Sequence, residues 1–328
     1  MKTRFLMSLV ATLIASTSWA NDKVSFATNW LAQGGHGGFY QALADGTYEK
    51  YGLEVDIQMG GPQMNNRPML PAGKVDFLMT GNLLLSMDSV RNGIPTIVVA
   101  SYFEKDPQAI IAHKGNYSGW ADLASAPEIL ISKDGQFSFW KWMTAVHGFK
   151  DESLRPYGYN LAAFLNDKKM VQQAYGTAEP IYAAAAGADV ETYLLADQGW
   201  STYSTTIETR TEMVENNPDL VQRFIDASTI GWYNYLYGDN SAGNAAIIAA
   251  NPDQTLEKLA KEVKQLKSLG IIDSGNQLEF GIGAIDMARV KAFYDLAVKT
   301  GILEAGSVDV AKVATDQFVN KKVGMDLK

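Results

Sequence analysis

Beyond residue 20 the chain alternates strand-like and helix-like segments, breaks off, and then starts the alternation again. Strands separated by helices pair in parallel, because each helix carries the chain back across the face of the sheet. Val24–Thr28 reads as a first strand and Phe39–Tyr51 as a helix ended by Gly52. Leu53–Met59 alternates apolar and polar residues, the period of a half-buried strand. Gly60-Gly61-Pro62 forms a turn, Met64–Ala72 a short helix and Val75–Thr80 a third strand. Leu83–Arg91 is a helix stopped at Asn92-Gly93, and Ile94–Ser101 is a β-branched fourth strand.

The pattern restarts at Gln108. Ala109–His113, Glu128–Ser132 and Leu154–Tyr159 read as strands, and Gln136–Val146, Ala162–Ala174 and Pro180–Ala186 as helices. Thr205–Thr209 reads as a return strand, and the chain is helical in character from Thr211 onward. The strongest helix is Pro218–Tyr237, with Asn217 placed to cap it. Val221, Ile225, Ser228, Trp232 and Leu236 fall on one stripe of that helix, which predicts a core-facing side.

A chain that builds one α/β unit, crosses to a second and returns makes two lobes with parallel-rich sheets. The predicted lobes are residues 21–103 plus 205–328, and residues 104–204, with crossings near Ser101–Asp106 and Ser201–Thr206. Such a layout leaves a cleft at the C-terminal ends of the strands and suits hinge closure around a ligand.

The loops expected at that cleft carry ligand-type residues. Asn29 and Trp30 end the first strand, and four glycines then surround His36 ahead of Phe39 and Tyr40. Glycines let backbone approach a ligand, free N–H groups point out of the helix start, and the aromatic rings offer stacking faces. Gly61 with Asn65 repeats the arrangement after the second strand, and Asn82 after the third. In the second lobe, Asp134 follows a strand and opens a helix, and Tyr175 precedes the corner that carries Glu179. Glu179 could accept hydrogen bonds from a ligand N–H, or serve as a first-turn carboxylate facing the helix dipole.

The first twenty residues have the order of a cleavable export signal: Lys2 and Arg4, an apolar run from Phe5 to Ile14, and Ser18-Trp19-Ala20. The expected mature protein is a periplasmic monomer. The chain has no cysteine, so it has neither disulfides nor a lipid-bearing cysteine at the cleavage site. Loss of Lys2 and Arg4 with the signal takes the formal net charge from −8 to −10, unfavourable for binding nucleic acid. His36, His113 and His147 lie far apart without metal-motif spacing, and no nucleophile elbow or phosphate loop occurs. No catalytic residue, metal or cofactor is expected.

Several short segments together resemble a known family. Asn29-Trp30, His36-Gly37-Gly38-Phe39-Tyr40-Gln41-Ala42, Tyr51-Gly52-Leu53, Gly60-Gly61-Pro62, Asp76-Phe77, Glu179-Pro180 and Asn217-Pro218-Asp219-Leu220-Val221 carry the likeness, with Phe224 and Gly231-Trp232. The chain is similar to periplasmic binding proteins for thiamine-pyrimidine precursors, within the nitrate, sulfonate and taurine group. The resemblance implies a type II periplasmic-binding-protein fold, a small-molecule ligand, and ABC permease and ATPase partners. It also implies that Trp30, His36 and Glu179 line a pocket for an aminopyrimidine. A related enzyme, the eukaryotic thiamine-pyrimidine synthase, carries a cysteine-rich motif and a lysine for pyridoxal phosphate; the absence of cysteine here argues against that activity. A sulfonate or nitrate binder is the other alternative, for which Arg67 is the nearest cation to the presumed cleft loops.

Overall fold

A computed structural model describes residues 20–61 and 64–328. Apart from Ala20, the predicted export signal lies outside the described residues, as does Pro62 of the predicted turn.

Two five-stranded mixed sheets organise the chain. The first contains β1 (Asp22–Ala27), β2 (Leu53–Gln58), β3 (Phe77–Asn82), β4 (Thr96–Phe103) and the late strand β10 (Ser204–Arg210), in the order β2-β1-β3-β10-β4. β1 runs parallel to β2 and β3, with Val24 opposite Val55 and Phe26 opposite Phe77. β10 runs antiparallel between β3 and β4, with Ile207 opposite both Met79 and Ala100. The second sheet contains β5 (Gln108–His113), β6 (Ile129–Ile131), β7 (Leu154–Pro156), β8 (Val171–Tyr175) and β9 (Val190–Leu194), in the order β7-β6-β8-β5-β9. β6 is parallel to β7 and β8, and β5 is antiparallel to β8 and β9. Each sheet therefore has four strands pointing one way and one pointing back, the parallel-rich architecture expected.

Segments 104–107 and 195–203 connect the sheets. Arg289, from the helix Met287–Lys299, ties them together. It donates to Glu104 Oε1 at 2.6 Å and to Ser201 O at 2.9 Å, and lies 4.0 Å from the centre of the Tyr203 ring.

The helix Pro218–Tyr237 supplies much of the core of the first sheet. All five residues of its predicted stripe are buried. Phe224 stacks on Phe77 at 4.0 Å and meets Phe26 edge-on at 5.5 Å. Burying a side chain of this size contributes roughly 1.5–3 kcal/mol. A Cβ on Gly231 would sit 2.2 Å from the carbonyl oxygen of Gly38, so close packing against the helix Gly37–Ala44 requires glycine there. The Asn217 side chain makes no capping hydrogen bond and instead approaches Met213.

Several expected elements differ. The helix read over Phe39–Tyr51 is two helices, Gly37–Ala44 and Thr47–Lys50, split where Gly46 turns left-handed (φ +73°). Met64–Ala72 keeps only the short 3-10 turn Arg67–Met69. Gln136–Val146 is broken at Ser138 into Lys133–Phe137 and Phe139–His147. The helix expected over Ala162–Ala174 stops at Asn166, and its second half is β8, the middle strand of the second sheet. Gln172 and Gln173, both buried, hid that strand's apolar character. β9 was likewise unforeseen.

Candidate functional site

The C-terminal ends of the parallel strands of both sheets face one cleft of about 590 Å³. That is the edge at which loops following parallel strands converge, and the volume suits a small organic molecule.

Seven of the ten expected residues line the cleft: Asn29, Trp30, His36 and Asn82 with the first sheet, and Asp134, Tyr175 and Glu179 with the second. Asn82 ends β3 and caps the helix Leu83–Arg91, its Oδ1 accepting from the Leu84 N–H at 3.0 Å. Asp134 is an exposed residue in the first turn of Lys133–Phe137.

Three expected residues do not line it. Phe39 is fully buried in the core, 4.9 Å from Phe26, 5.0 Å from Tyr102 and 5.7 Å from Trp232 between ring centres. Gly61 is covered by the Leu31 side chain. Asn65 is exposed, its Oδ1 accepting from the Arg67 N–H at 3.2 Å to shape its own loop.

His36 is 3% exposed, on the 3-10 turn Gly34–His36. Its Nδ1 has no hydrogen-bond partner among the described residues. Burial pushes the imidazole down to about 4, so the ring is neutral at neutral pH. A neutral imidazole offers one donor and one acceptor.

Glu179 is partly buried at the start of the helix Glu179–Ala185. Its Oε2 accepts from the Tyr175 N–H at 2.6 Å and its Oε1 from the Tyr157 hydroxyl at 3.2 Å. Burial pushes its pKa above the ordinary carboxylate value, and these hydrogen bonds only partly offset the shift. Each oxygen keeps further lone-pair capacity for a ligand N–H.

Sequence reasoning missed a set of aromatic and amide groups. β7 ends at Pro156, three residues short of the expected strand, which leaves Tyr157-Gly158-Tyr159 as a loop entering the cleft. Tyr159 is 60% exposed, holds a left-handed backbone (φ +56°), and sits 6.2 Å from Trp30 between ring centres. Trp30 follows β1 and Tyr159 follows β7, so the two rings meet across the cleft. The Tyr-Gly-Tyr triplet closing a strand was the available signal. Gln108, the first residue of β5, and Gln173, in the middle of β8, also line the cleft. Thr205 lines it too, with a left-handed backbone (φ +49°) that costs a β-branched residue on the order of 1–3 kcal/mol. Strain of that kind concentrates at functional sites.

Among the described residues the lining holds two carboxylates, Asp134 and Glu179, and no lysine or arginine. Arg67 is turned away: it donates to Leu85 O at 2.8 Å and pairs with Asp88 at 3.4 Å. The other histidines are engaged elsewhere. His113 Nε2 bonds Phe164 O at 2.8 Å, and His147 Nδ1 accepts from Trp120 Nε1 at 3.0 Å.

The family model described as "NMT1/THI5 like" matches residues 33–239, more than half of the chain. The chain belongs to the NMT1/THI5-like family. A curated relative, the riboflavin-binding protein RibY of Chloroflexus aurantiacus, is 25% identical over 313 residues, covering 90% of this chain and 86% of the relative. Among solved structures, a Bordetella bronchiseptica protein superposes with a TM-score of 0.65 at 16% identity, covering 94% of this chain and 98% of its own. The periplasmic aliphatic sulphonate binding protein SsuA of Escherichia coli superposes with a TM-score of 0.64 at 12% identity, covering 89% and 91%. The fold of this NMT1/THI5-like chain is thus that of the periplasmic binding proteins.

Proposed function

We propose that this chain is a periplasmic solute-binding protein of an ABC importer, which captures a neutral, planar nitrogen heterocycle by closing two lobes upon it. The lobes in this reading are residues 21–103 plus 205–328, and residues 104–204. The observation that carries the ligand class is the character of the cleft: aromatic rings on both walls, two carboxylates, and no cation among the described lining residues. An oxyanion would be repelled by Glu179 and Asp134 and would find no charged partner, so a sulfonate or nitrate fits poorly despite the shared fold. A flat ring can stack on Trp30 and be closed over by Tyr159. Its N–H edge donates to Glu179, and the neutral His36 meets a polar ring atom.

One comparison and the sequence resemblance support the same chemistry. The relative from Chloroflexus aurantiacus is named for riboflavin, a planar nitrogen heterocycle. The sequence resemblance is to binders of thiamine pyrimidine precursors. No bond is made or broken in this account. The ligand is held, closure hides it from water, and the closed form delivers it to the permease.

Native mass spectrometry of protein purified without denaturation tests the reading. The expected result is a bound mass corresponding to a neutral pyrimidine or flavin. A bound sulfonate, or turnover of either heterocycle on incubation, would overturn it.

A further inference from the structure

The turn that carries Gln33 and His36 into the cleft is held from behind by helices that lie beyond residue 239, where the family match ends. Glu262, on the helix Leu256–Ser268, is 3% exposed, and its Oε2 accepts from the Gly34 N–H at 2.5 Å. A Cβ on Gly34 would fall 2.7 Å from that oxygen, so the contact is built around glycine. Asn251 adds a second tie, donating from Nδ2 to Ala32 O at 2.8 Å. Glu262 Oε1 has no partner among the described residues. A buried carboxylate is costly unless a specific bond uses it, and the bond used here ends on the ligand turn.

We propose that Glu262 is a positioning residue: its carboxylate fixes the Gly34–His36 turn and so sets His36 and Gln33 for the ligand. The inference rests on the reading of the cleft as a ligand site. The groups that face Glu262 are Lys258 on its own helix, Tyr235 on Pro218–Tyr237 and Tyr182 on Glu179–Ala185. Only Lys258 carries charge near neutrality, and its pull is outweighed by burial, which pushes Glu262 up to about 7. The hydrogen bond to Gly34 is strongest with the carboxylate ionised, so the turn tightens as pH rises through that value.

The test uses the whole mature protein and two readouts. The Gly34 amide proton, followed by nuclear magnetic resonance without ligand, should move downfield as pH rises through about 7 and stay fixed in Glu262→Gln. Riboflavin and 4-amino-5-hydroxymethyl-2-methylpyrimidine serve as binding probes. For whichever binds the parent protein, Glu262→Ala should weaken binding by roughly tenfold and Glu262→Gln, which can still accept from Gly34, by no more than about threefold. Glu262→Gln should also flatten the pH dependence of affinity around neutrality. If Glu262→Ala fails to fold, Asn251→Ala, which loosens the other tie, should weaken binding by a similar factor. A Gly34 amide whose shift is the same in a folded Glu262→Ala as in the parent, or a folded Glu262→Ala that binds as the parent does, overturns the proposal. If neither probe binds the parent protein, the ligand reading fails instead, and the change of the Gly34 amide shift in Glu262→Ala still decides the role of Glu262.

Discussion

Replacing Glu179 with glutamine separates a ligand carboxylate from a helix-start carboxylate. In the free protein Glu179 Oε2 takes the Tyr175 N–H at 2.6 Å, a bond that the glutamine Oε1 can keep. The new NH₂ then lies where Oε1 met Tyr157, whose hydroxyl can rotate to accept. The ligand N–H loses an ionised acceptor and meets a donor. A hydrogen bond to a charged group is worth about 1.5–3 kcal/mol, so affinity should fall by roughly ten- to 150-fold. The free protein should not suffer. Burial raises the Glu179 pKa, so ionised Glu179 is less favoured in the fold than in the unfolded chain, and a neutral amide avoids that cost. Calorimetric titration with a bound heterocycle, paired with thermal melts of the free protein, gives both numbers. If Glu179→Gln binds normally but melts several degrees early, the carboxylate serves the helix start and the ligand assignment is refuted.

Other substitutions give different signatures. Trp30→Ala and Tyr159→Ala should each weaken binding by roughly tenfold through lost stacking, as titration would show. Tyr159→Gly should bind as weakly as Tyr159→Ala yet melt no earlier than the parent, because the ring is exposed and its left-handed backbone is relieved. His36 contributes stability that is lost as pH falls. Its folded value of about 4 lies below the unfolded 6.5, so the unfolded chain takes up the proton first. Between pH 7 and pH 5 that group alone removes about 2 kcal/mol, and His36→Gln should remove this part of the slope in denaturant titrations. Arg289→Ala should cost about 3–5 kcal/mol by leaving the buried Glu104 unpaired, whereas Arg289→Met with Glu104→Gln should cost clearly less, measured by chemical unfolding.

Much of the first sheet was legible because its strands carry their own signal. β1, β2 and β4 read from Val, Ile and Phe in short runs between turns, and Pro218–Tyr237 from a stripe of apolar residues at helical spacing. The second sheet was less legible. β8 is Val-Gln-Gln-Ala-Tyr, a composition that favours a helix, and only its place between β6 and β5 makes it a strand. The cleft followed the same division. Residues at the ends of recognised strands, such as Trp30 and Asn82, reached it, as did Glu179 at a recognised corner. Gln173 belonged to the unrecognised strand, and Tyr157 and Tyr159 to a strand read three residues too long. Phe39 failed for a different reason. Aromatic rings beside a glycine loop serve a core as readily as a ligand, and the contacts with Tyr102 and Trp232 decide between them.

Calorimetric titration of the protein against a matched panel tests the central claim most directly: riboflavin, the hydroxymethylpyrimidine, taurine and nitrate, at one pH and ionic strength. The account predicts saturable binding of at least one heterocycle and none of the two oxyanions. Saturable binding of taurine or nitrate, with neither heterocycle bound, would contradict it.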